Sequence, residues 1–332
     1  MSFLDDMKKK ARASKKRIVL PEGTDLRVLT AASAAAKEGL AEIILVGNKV
    51  DILKTAGEID LSQVLIVDVV TAEKKEEYIE RFYELRKAKG VTKDQARELM
   101  KDPVYFGNMM IKQNDADGLV SGAIHSTADT LRPALQIIKT APGTSLVSSF
   151  FIMVIPDCEY GQDGVFLFSD CGLNENPNAD QLSEIAISSA HTMKGLLGIT
   201  PIVAMLSYST YGSANSELTQ KVVQATALAK QKAPDLLIDG EMQVDAALVA
   251  STAKLKAPNS AVAGQANVLI FPDLNAGNIG YKLTERLAKA QAYGPITQGL
   301  AKPINDLSRG CKAEDIIGVI AMTAVQAQAE HS

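Results

Sequence analysis

Apolar residues along this chain follow two alternating patterns. Short runs rich in Val, Ile and Leu occur at Arg17–Leu20, Ile43–Val46, Val64–Val67 and Gly118–Ser121, and again at Ser145–Ile155, Val165–Phe168, Ile202–Leu206, Leu236–Asp239 and Asn267–Phe271. Between them, apolar positions recur every three to four residues, as in Asp25–Glu38, Ala179–Leu197, Ser216–Lys230 and Tyr281–Ala290. The first pattern predicts strands and the second amphipathic helices. Their alternation predicts α/β layers with mostly parallel sheets. Residues 71–113 read as a longer helical insert, and a periodic segment from about Ala313 to Gln328 predicts a last helix. The strands are too many for one small sheet. Pro142-Gly143 and Gly294-Pro295 are the strongest breaks, so a first domain is expected over 1–143 and a second over 144–295.

Composition narrows the class. The chain has 332 residues, 46% hydrophobic and 22% charged, which is ordinary for a soluble globular protein of two domains. A net charge of −4 argues against general nucleic-acid binding. The basic run from Lys8 to Arg17 is offset by Asp5 and Asp6 and reads as the solvated face of a first helix. No apolar run reaches the ~18 residues of a membrane span, and Pro21 interrupts the only apolar run near the N-terminus, so neither a membrane anchor nor a signal peptide is expected. The location expected is the cytoplasm. Cys158, Cys171 and Cys311 are widely separated, and His125, His191 and His331 lack metalloprotease spacing, so no disulfide framework and no zinc site is expected.

The chemistry must come from elsewhere. There is no P-loop and no G-x-G-x-x-G dinucleotide fingerprint. The richest stretch is Asn305-Asp306-Leu307-Ser308-Arg309-Gly310-Cys311, followed by Asp315 and the last predicted helix. It places a hydroxyl, a guanidinium and a carboxylate where a loop enters a helix. Free backbone N–H groups and the positive dipole end favour anions there. Read alone, it is equally an ordinary helix start with one surface arginine. A second loop-to-helix junction, Gly122 with Ser126 to Arg132, offers hydroxyls of Ser126 and Thr130, N–H groups and the Arg132 fork to a phosphate; its plain reading is a helix N-cap. Ser207–Thr210 follows a strand, a usual ligand position in α/β proteins. Asp235, Asp239, Glu241 and Asp245 form the densest acidic group, and capping and solvation are the roles expected of it rather than Mg²⁺ binding. Cys158 lies between Asp157 and Glu159 with no histidine near it in sequence, so an acyl-cysteine intermediate is not expected.

Taken together, these segments resemble the phosphate acetyltransferases (phosphotransacetylases) of the phosphate acetyl/butyryltransferase family. The resemblance is carried by Asn305–Cys311 with Asp315, Pro156-Asp157-Cys158-Glu159-Tyr160-Gly161, Ser207-Tyr208-Ser209-Thr210 with Gly212-Ser213, Asp239-Gly240-Glu241 with Gln243–Ala247, and Phe271-Pro272-Asp273-Leu274-Asn275 with Gly277-Asn278. Leu20-Pro21-Glu22 with Arg27 and Tyr83-Glu84-Leu85-Arg86 extend it, so that it runs essentially end to end. It implies two α/β domains with an interdomain cleft, like those of isocitrate and isopropylmalate dehydrogenases, the site lying in the cleft and residues 296–332 returning to the first domain. It implies reversible acetyl transfer between coenzyme A and phosphate in a ternary complex. Ser308 would steady the oxyanion, Arg309 would hold the phosphate and Asp315 would take the thiol proton. Arg132, Arg86, Arg27, Ser126, Thr130 and Cys158 are the substrate contacts expected from the resemblance. No metal and no cofactor is expected, coenzyme A being a substrate, and a homodimer is implied. The rival readings are a phosphate butyryltransferase, an NAD(P)-dependent dehydrogenase on the same fold, and a non-catalytic acyl-CoA or phosphate sensor. One difficulty stands: an ordinary aspartate titrates near ~3.9 and a thiol near ~8.5, a mismatch that burial of Asp315 against Ile316 and Ile317 would narrow; the alternative is that Asp315 only orients the thiol and phosphate accepts its proton.

Overall fold

The computed structural model describes residues 3–329, and the chain divides into two compact units, residues 1–142 with 300–332 and residues 143–299. The first unit begins with α1 (Phe3–Ala13), β1 (Arg17–Leu20), α2 (Leu26–Lys37), β2 (Glu42–Gly47), α3 (Lys49–Ala56) and β3 (Leu65–Asp68). The helical insert follows as α4 (Lys75–Arg86), α5 (Lys93–Leu99) and α6 (Pro103–Lys112), then β4 (Gly118–Ser121) and α7 (Thr127–Ile137). The second unit contains β5 (Ser148–Val154), β6 (Val165–Ser169), α8 (Ala179–Thr192), β7 (Ile202–Leu206), α9 (Glu217–Lys232), β8 (Leu237–Met242), α10 (Val244–Leu248), α11 (Ala250–Lys256), β9 (Val268–Ile270), α12 (Leu274–Leu287) and β10 (Gln291–Gln298). The chain then closes the first unit with β11 (Ile304–Asp306) and α13 (Ala313–Ala329). Residues 296–299, expected with the first domain, belong to the second unit, 296–298 as the end of β10.

The first sheet has the order β11-β4-β1-β2-β3 and is parallel throughout, with Ile18 opposite Gly118, Leu119 opposite Ile304 and Ser121 opposite Asp306. A parallel sheet is covered on both faces, and β1 accordingly reads Ile-Val-Leu without a polar break. On one face α6 lies close: a Cβ at Gly107 would fall 2.8 Å from Val19 Cγ1. Phe82, Phe106, Met109 and Tyr78 fill the core there. On the other face α13, with Ile316, Ile320 and Met322 buried, packs against α1, α2 and β4.

The second sheet has the order β10-β5-β6-β9-β7-β8; β10, β5 and β6 run antiparallel and the rest parallel. Phe151, Phe166, Phe168 and Leu269 form part of its core. Among the described residues no helix is long and apolar enough to cross a membrane.

Candidate active site

The parallel first sheet sends three neighbouring strands, β1, β4 and β11, out at the same edge. Their exits are Pro21-Glu22, Gly122–Ser126 and Leu307–Lys312. The carboxyl edge of such a sheet is where α/β proteins bind ligands. The exits are tied at the backbone, Leu307 N donating to Ser121 O at 2.7 Å.

Glu22 is the hub of this edge. Its side chain is fully buried, and its carboxylate accepts from the backbone N–H groups of Gly122 (3.1 Å), Ala123 (2.8 Å), Ile124 (3.0 Å) and His125 (3.0 Å). The His125 ring adds Nδ1 at 2.7 Å. Four consecutive N–H groups turned toward one point make an anion nest, and Glu22 fills it from within. The N–H groups expected to meet a phosphate at this loop are therefore already engaged.

Arg27 brackets the other two exits. Nε and Nη2 pair with the Asp25 carboxylate at 3.0 and 2.8 Å, Nη2 also donates to Ala123 O at 2.9 Å, and Nη1 donates to Arg309 O at 2.8 Å and Cys311 O at 3.0 Å. A guanidinium has five N–H donors, and these bonds occupy them. Asp25 caps α2 and is held below the usual carboxylate range by its bond to Arg27. Burial pushes the Cys311 thiol up, against the pull of Arg27.

Asp306, at the end of β11, is 5% exposed and accepts from Thr127 Oγ1 at 2.6 Å. Burial raises its pKa above the ordinary value, and the Thr127 bond opposes the rise. Asp306 Oδ1, Ser121 Oγ and Thr130 Oγ1 are buried without a protein partner among the described residues. Gly122 sits against this cluster with φ +110°: a Cβ there would overlap Asp306 Oδ1 and fall 2.5 Å from Leu307 N.

Ser308 and Arg309 are exposed on the loop that enters α13, and Asp315 is exposed in the first turn of that helix. Gly310 N donates to Ser308 Oγ at 3.3 Å, and Lys312 N to Asp315 Oδ2 at 2.8 Å. Asp315 thus reaches back from the first turn to the backbone just ahead of the helix, one half of a capping box. It is exposed rather than buried against Ile316 and Ile317, its carboxylate taken up by the Lys312 N–H. The Arg309 guanidinium has no carboxylate partner among the described residues. A free guanidinium and a hydroxyl at a helix N-terminus suit an anion and a developing oxyanion.

The family model described as "Phosphate acetyl/butaryl transferase" matches residues 2–324. The chain belongs to the phosphate acetyl/butaryl transferase family. A phosphate acetyltransferase of Acetivibrio thermocellus is 65% identical over 328 residues, covering 99% of each chain, and one of Thermoanaerobacterium thermosaccharolyticum is 60% identical over 328 residues, covering 99% of this chain and 100% of the relative. A solved phosphotransacetylase from Streptococcus pyogenes is 45% identical, covers 100% of both chains and superposes with a TM-score of 0.93.

The remaining residues expected from the phosphate acetyl/butaryl transferase resemblance lie on α4, on α7 with its N-cap, and on the connection between β5 and β6. Ser126 caps α7, its Oγ accepting from Asp129 N at 3.2 Å and donating to the Asp129 carboxylate at 2.7 Å. Arg132 is 58% exposed and only 3.6 Å from Asp129. Arg86, at the end of α4, has its Nε buried without a partner. Both arginines bear on the Tyr105 hydroxyl, whose pKa is raised by burial and drawn back by the two cations. Cys158 is half-buried in the second unit, on the connection between β5 and β6. The acidic residues of β8 and its exit are engaged locally: Asp239 with Lys230 at 2.6 Å, Glu241 with Ser209 Oγ at 2.7 Å and Asp245 with Lys256 at 2.8 Å.

Two members of the edge, Glu22 and His125, carry no motif that marks them as partners. They lie a hundred residues apart, and only the adjacency of β1 and β4 joins them. The available signal was a polar residue in the loop after each of two predicted parallel strands, Glu22 two residues past the first and His125 four past the second.

Proposed function

We propose that the protein transfers acetyl reversibly between coenzyme A and inorganic phosphate, acetyl-CoA + phosphate ⇌ acetyl phosphate + CoA, by direct transfer in a ternary complex. The observation that carries this reading is the exposed Ser308-Arg309 pair ahead of the 17-residue α13, its guanidinium unpaired and its backbone held by Arg27. The CoA sulfur attacks the acetyl carbon, the carbon–sulfur bond forms, and phosphate leaves with the electrons of its bond to that carbon. Ser308 donates to the oxyanion, and Arg309 binds the phosphoryl oxygens and stabilises their departure. Asp315, fixed by Lys312 N–H, orients the thiol. Arg132 and Arg86, cations lacking strong partners, hold substrate anions. Arg27 acts through the backbone of Arg309 rather than by touching substrate. No chemical step is assigned to Cys158.

The enzyme works in the cytoplasm, where its three free thiols stay reduced. A homodimer completes the reading: Ile279, Leu283 and Leu287 form an exposed apolar stripe on α12, at 57%, 54% and 79% exposure. Sedimentation of Leu283→Glu as a monomer beside a dimeric parent would support that pairing, and a monomeric parent would end it.

The test is a thiol assay with acetyl phosphate and CoA, without metal or nucleotide. Phosphate-inhibited formation of acetyl-CoA is the expected result. Absence of turnover with both acetyl and butyryl phosphate would overturn the proposal.

A further inference from the structure

Acetyl phosphate is an activated acyl donor, and an uncharged amine that meets it can take its acetyl group. This inference rests on the acyl-transfer reading above, which brings acetyl phosphate to this chain. An ordinary lysine is largely spared, because near neutral pH it is an ammonium without a lone pair. One lysine of the second unit is placed differently.

Lys221 is half-buried on α9, in the wall of a cavity of about 350 Å³. The cavity opens at the carboxyl edge of β7 and β9, neighbouring parallel strands, where Ser207-Tyr208 and Phe271-Pro272 leave the sheet. Such an edge is where α/β proteins bind ligands. Leu206, Leu218, Val244 and Phe271 give the cavity apolar walls. Lys221 Nζ donates to Asn176 Oδ1 and to Pro272 O, each at 2.8 Å. Both acceptors are neutral, and among the described residues no carboxylate pairs with this amine. Lys230 and Lys232 of the same helix, by contrast, pair with Asp239 and Asp180 at 2.6 and 2.7 Å.

A neutral amine has two N–H donors and one lone pair, so two acceptors satisfy its donors in full. An ammonium brings a third N–H and a charge that neither oxygen neutralises. Burial accordingly holds the Lys221 amine below the usual lysine range, against the pull of Asp273 at the N-cap of α12. The Asp273 carboxylate is itself engaged, accepting from Ala276 N at 3.0 Å. Desolvation in an apolar pocket is a recognised way of activating a lysine as a nucleophile.

We propose that Lys221 is an acetylation site of this protein, its Nζ taking the acetyl group of acetyl phosphate in the cavity. The nitrogen lone pair attacks the acetyl carbon, and the C–N bond forms. The bond from that carbon to the phosphoryl oxygen breaks. Phosphate leaves with the electrons of that bond and takes up the proton that the nitrogen sheds, so no other reactant is needed. The cavity is at the small end of ligand sites, ~300–1,000 Å³, and admits an acyl phosphate whole, whereas a coenzyme thioester can present only its tip. The amide formed keeps one N–H where the amine had two. Either the bond to Asn176 or the bond to Pro272 is therefore lost, and with it one tie of α9 to the β6–α8 connection or to the exit of β9.

The experiment incubates the full chain with acetyl phosphate in phosphate-free buffer without CoA and follows acetyl occupancy at each lysine by peptide mass spectrometry. Lys221 is expected to label at least about threefold faster than the exposed Lys54 and Lys254. Each unit of pKa depression gives about tenfold more free amine, offset in part by lower intrinsic nucleophilicity. Labelling of Lys221 no faster than that of the exposed lysines would overturn the proposal. A parallel arm supplies acetyl-CoA in place of acetyl phosphate, and faster labelling of Lys221 by the thioester would refute the donor assigned. Leu218→Glu, at a position 63% exposed and three residues before Lys221 on the same helix, sets a carboxylate beside the amine. It is expected to bring Lys221 down to the rate of the exposed lysines; an unchanged rate would show that the surroundings do not activate it and would sink the site. Turnover with CoA is measured on the same parent sample. A parent that turns over without labelling at Lys221 removes the site alone, and one that labels without turning over removes the acyl-transfer reading and leaves the site standing.

Discussion

Replacing Arg27 separates a substrate contact from a bracket. In Arg27→Gln two amide N–H donors stand where the guanidinium had five. The bonds at risk are those to Ala123 O, Arg309 O and Cys311 O, at 2.9, 2.8 and 3.0 Å. The Arg309 carbonyl belongs to an exposed residue, so water replaces that bond at little cost. The bonds to Ala123 and Cys311 are part-buried, and at the lower end of ~1.5–3 kcal/mol for a hydrogen bond to a charged group they amount to about 3 kcal/mol. The Asp25 pair is partly exposed, with Arg27 at 34%, and adds little. For a unit of this size ~2–4 °C of melting temperature accompanies each kcal/mol, so a fall of about 6–12 °C is expected. Because both substrate-facing loops lose their tether, kcat should fall and both substrate KM values should rise. Arg27→Lys should behave in the same direction, since a lysine keeps the charge but not the fork. Thermal unfolding and steady-state kinetics with each substrate varied in turn supply the readout. Arg27→Lys or Arg27→Gln with a parent-like melting temperature and only the phosphate KM raised would refute the bracket and restore Arg27 as a direct phosphate ligand.

Ser308→Ala should lower kcat by ~10²–10³ with KM nearly unchanged, as for loss of one oxyanion donor; a normal kcat would remove Ser308 from the chemistry. Arg86→Gln, at a guanidinium whose Nε has no partner, should raise a substrate KM while leaving kcat and melting temperature near the parent values; a large loss of stability instead would assign Arg86 to the core. Asp306→Asn tests a buried acid. Its folded pKa is raised above the ordinary 3.8, so the folded state holds the proton more tightly than the unfolded one, and the parent's stability falls as pH rises through these two values. Asparagine still accepts from Thr127 and escapes that fall, so the variant should gain melting temperature relative to the parent as pH is raised; a difference independent of pH would sink the argument.

Much of the fold was legible because its strands and helices differ in period. β4 and β7 lie where the apolar runs placed them, and α2 and α9 where the three-to-four spacing did. The strands missed are those at which local chemistry contradicts the strand pattern. β10 contains Gly294-Pro295, which reads as a turn; it is an edge strand, and the pair falls at a register shift between Tyr293 and Ile296, where a proline costs no ladder bond. β11 is three residues long, and two of them are polar yet buried, Asn305 bonding Thr323 and Gln326 and Asp306 bonding Thr127. Nothing local could announce those partners. The closeness in sequence of Ser308, Arg309 and Asp315 was readable because eight consecutive residues, from a loop into the first turn of α13, carry them. The tasks of Glu22, Arg27 and His125 were not, because each depends on strands brought side by side from distant parts of the chain.

The excursion of the chain through the second unit has a consequence for how the protein is born. The ribosome makes β11 and α13 only after the whole of residues 143–299, about 8–30 s of synthesis at ~5–20 residues per second. Until then β4 is an open sheet edge, and the apolar face that α13 will cover is bare. The second unit is free to fold in the meantime, whereas the first waits. The reactive loop and the last structural pieces of its own domain arrive together, so a nascent chain is not competent for chemistry before that domain is able to close.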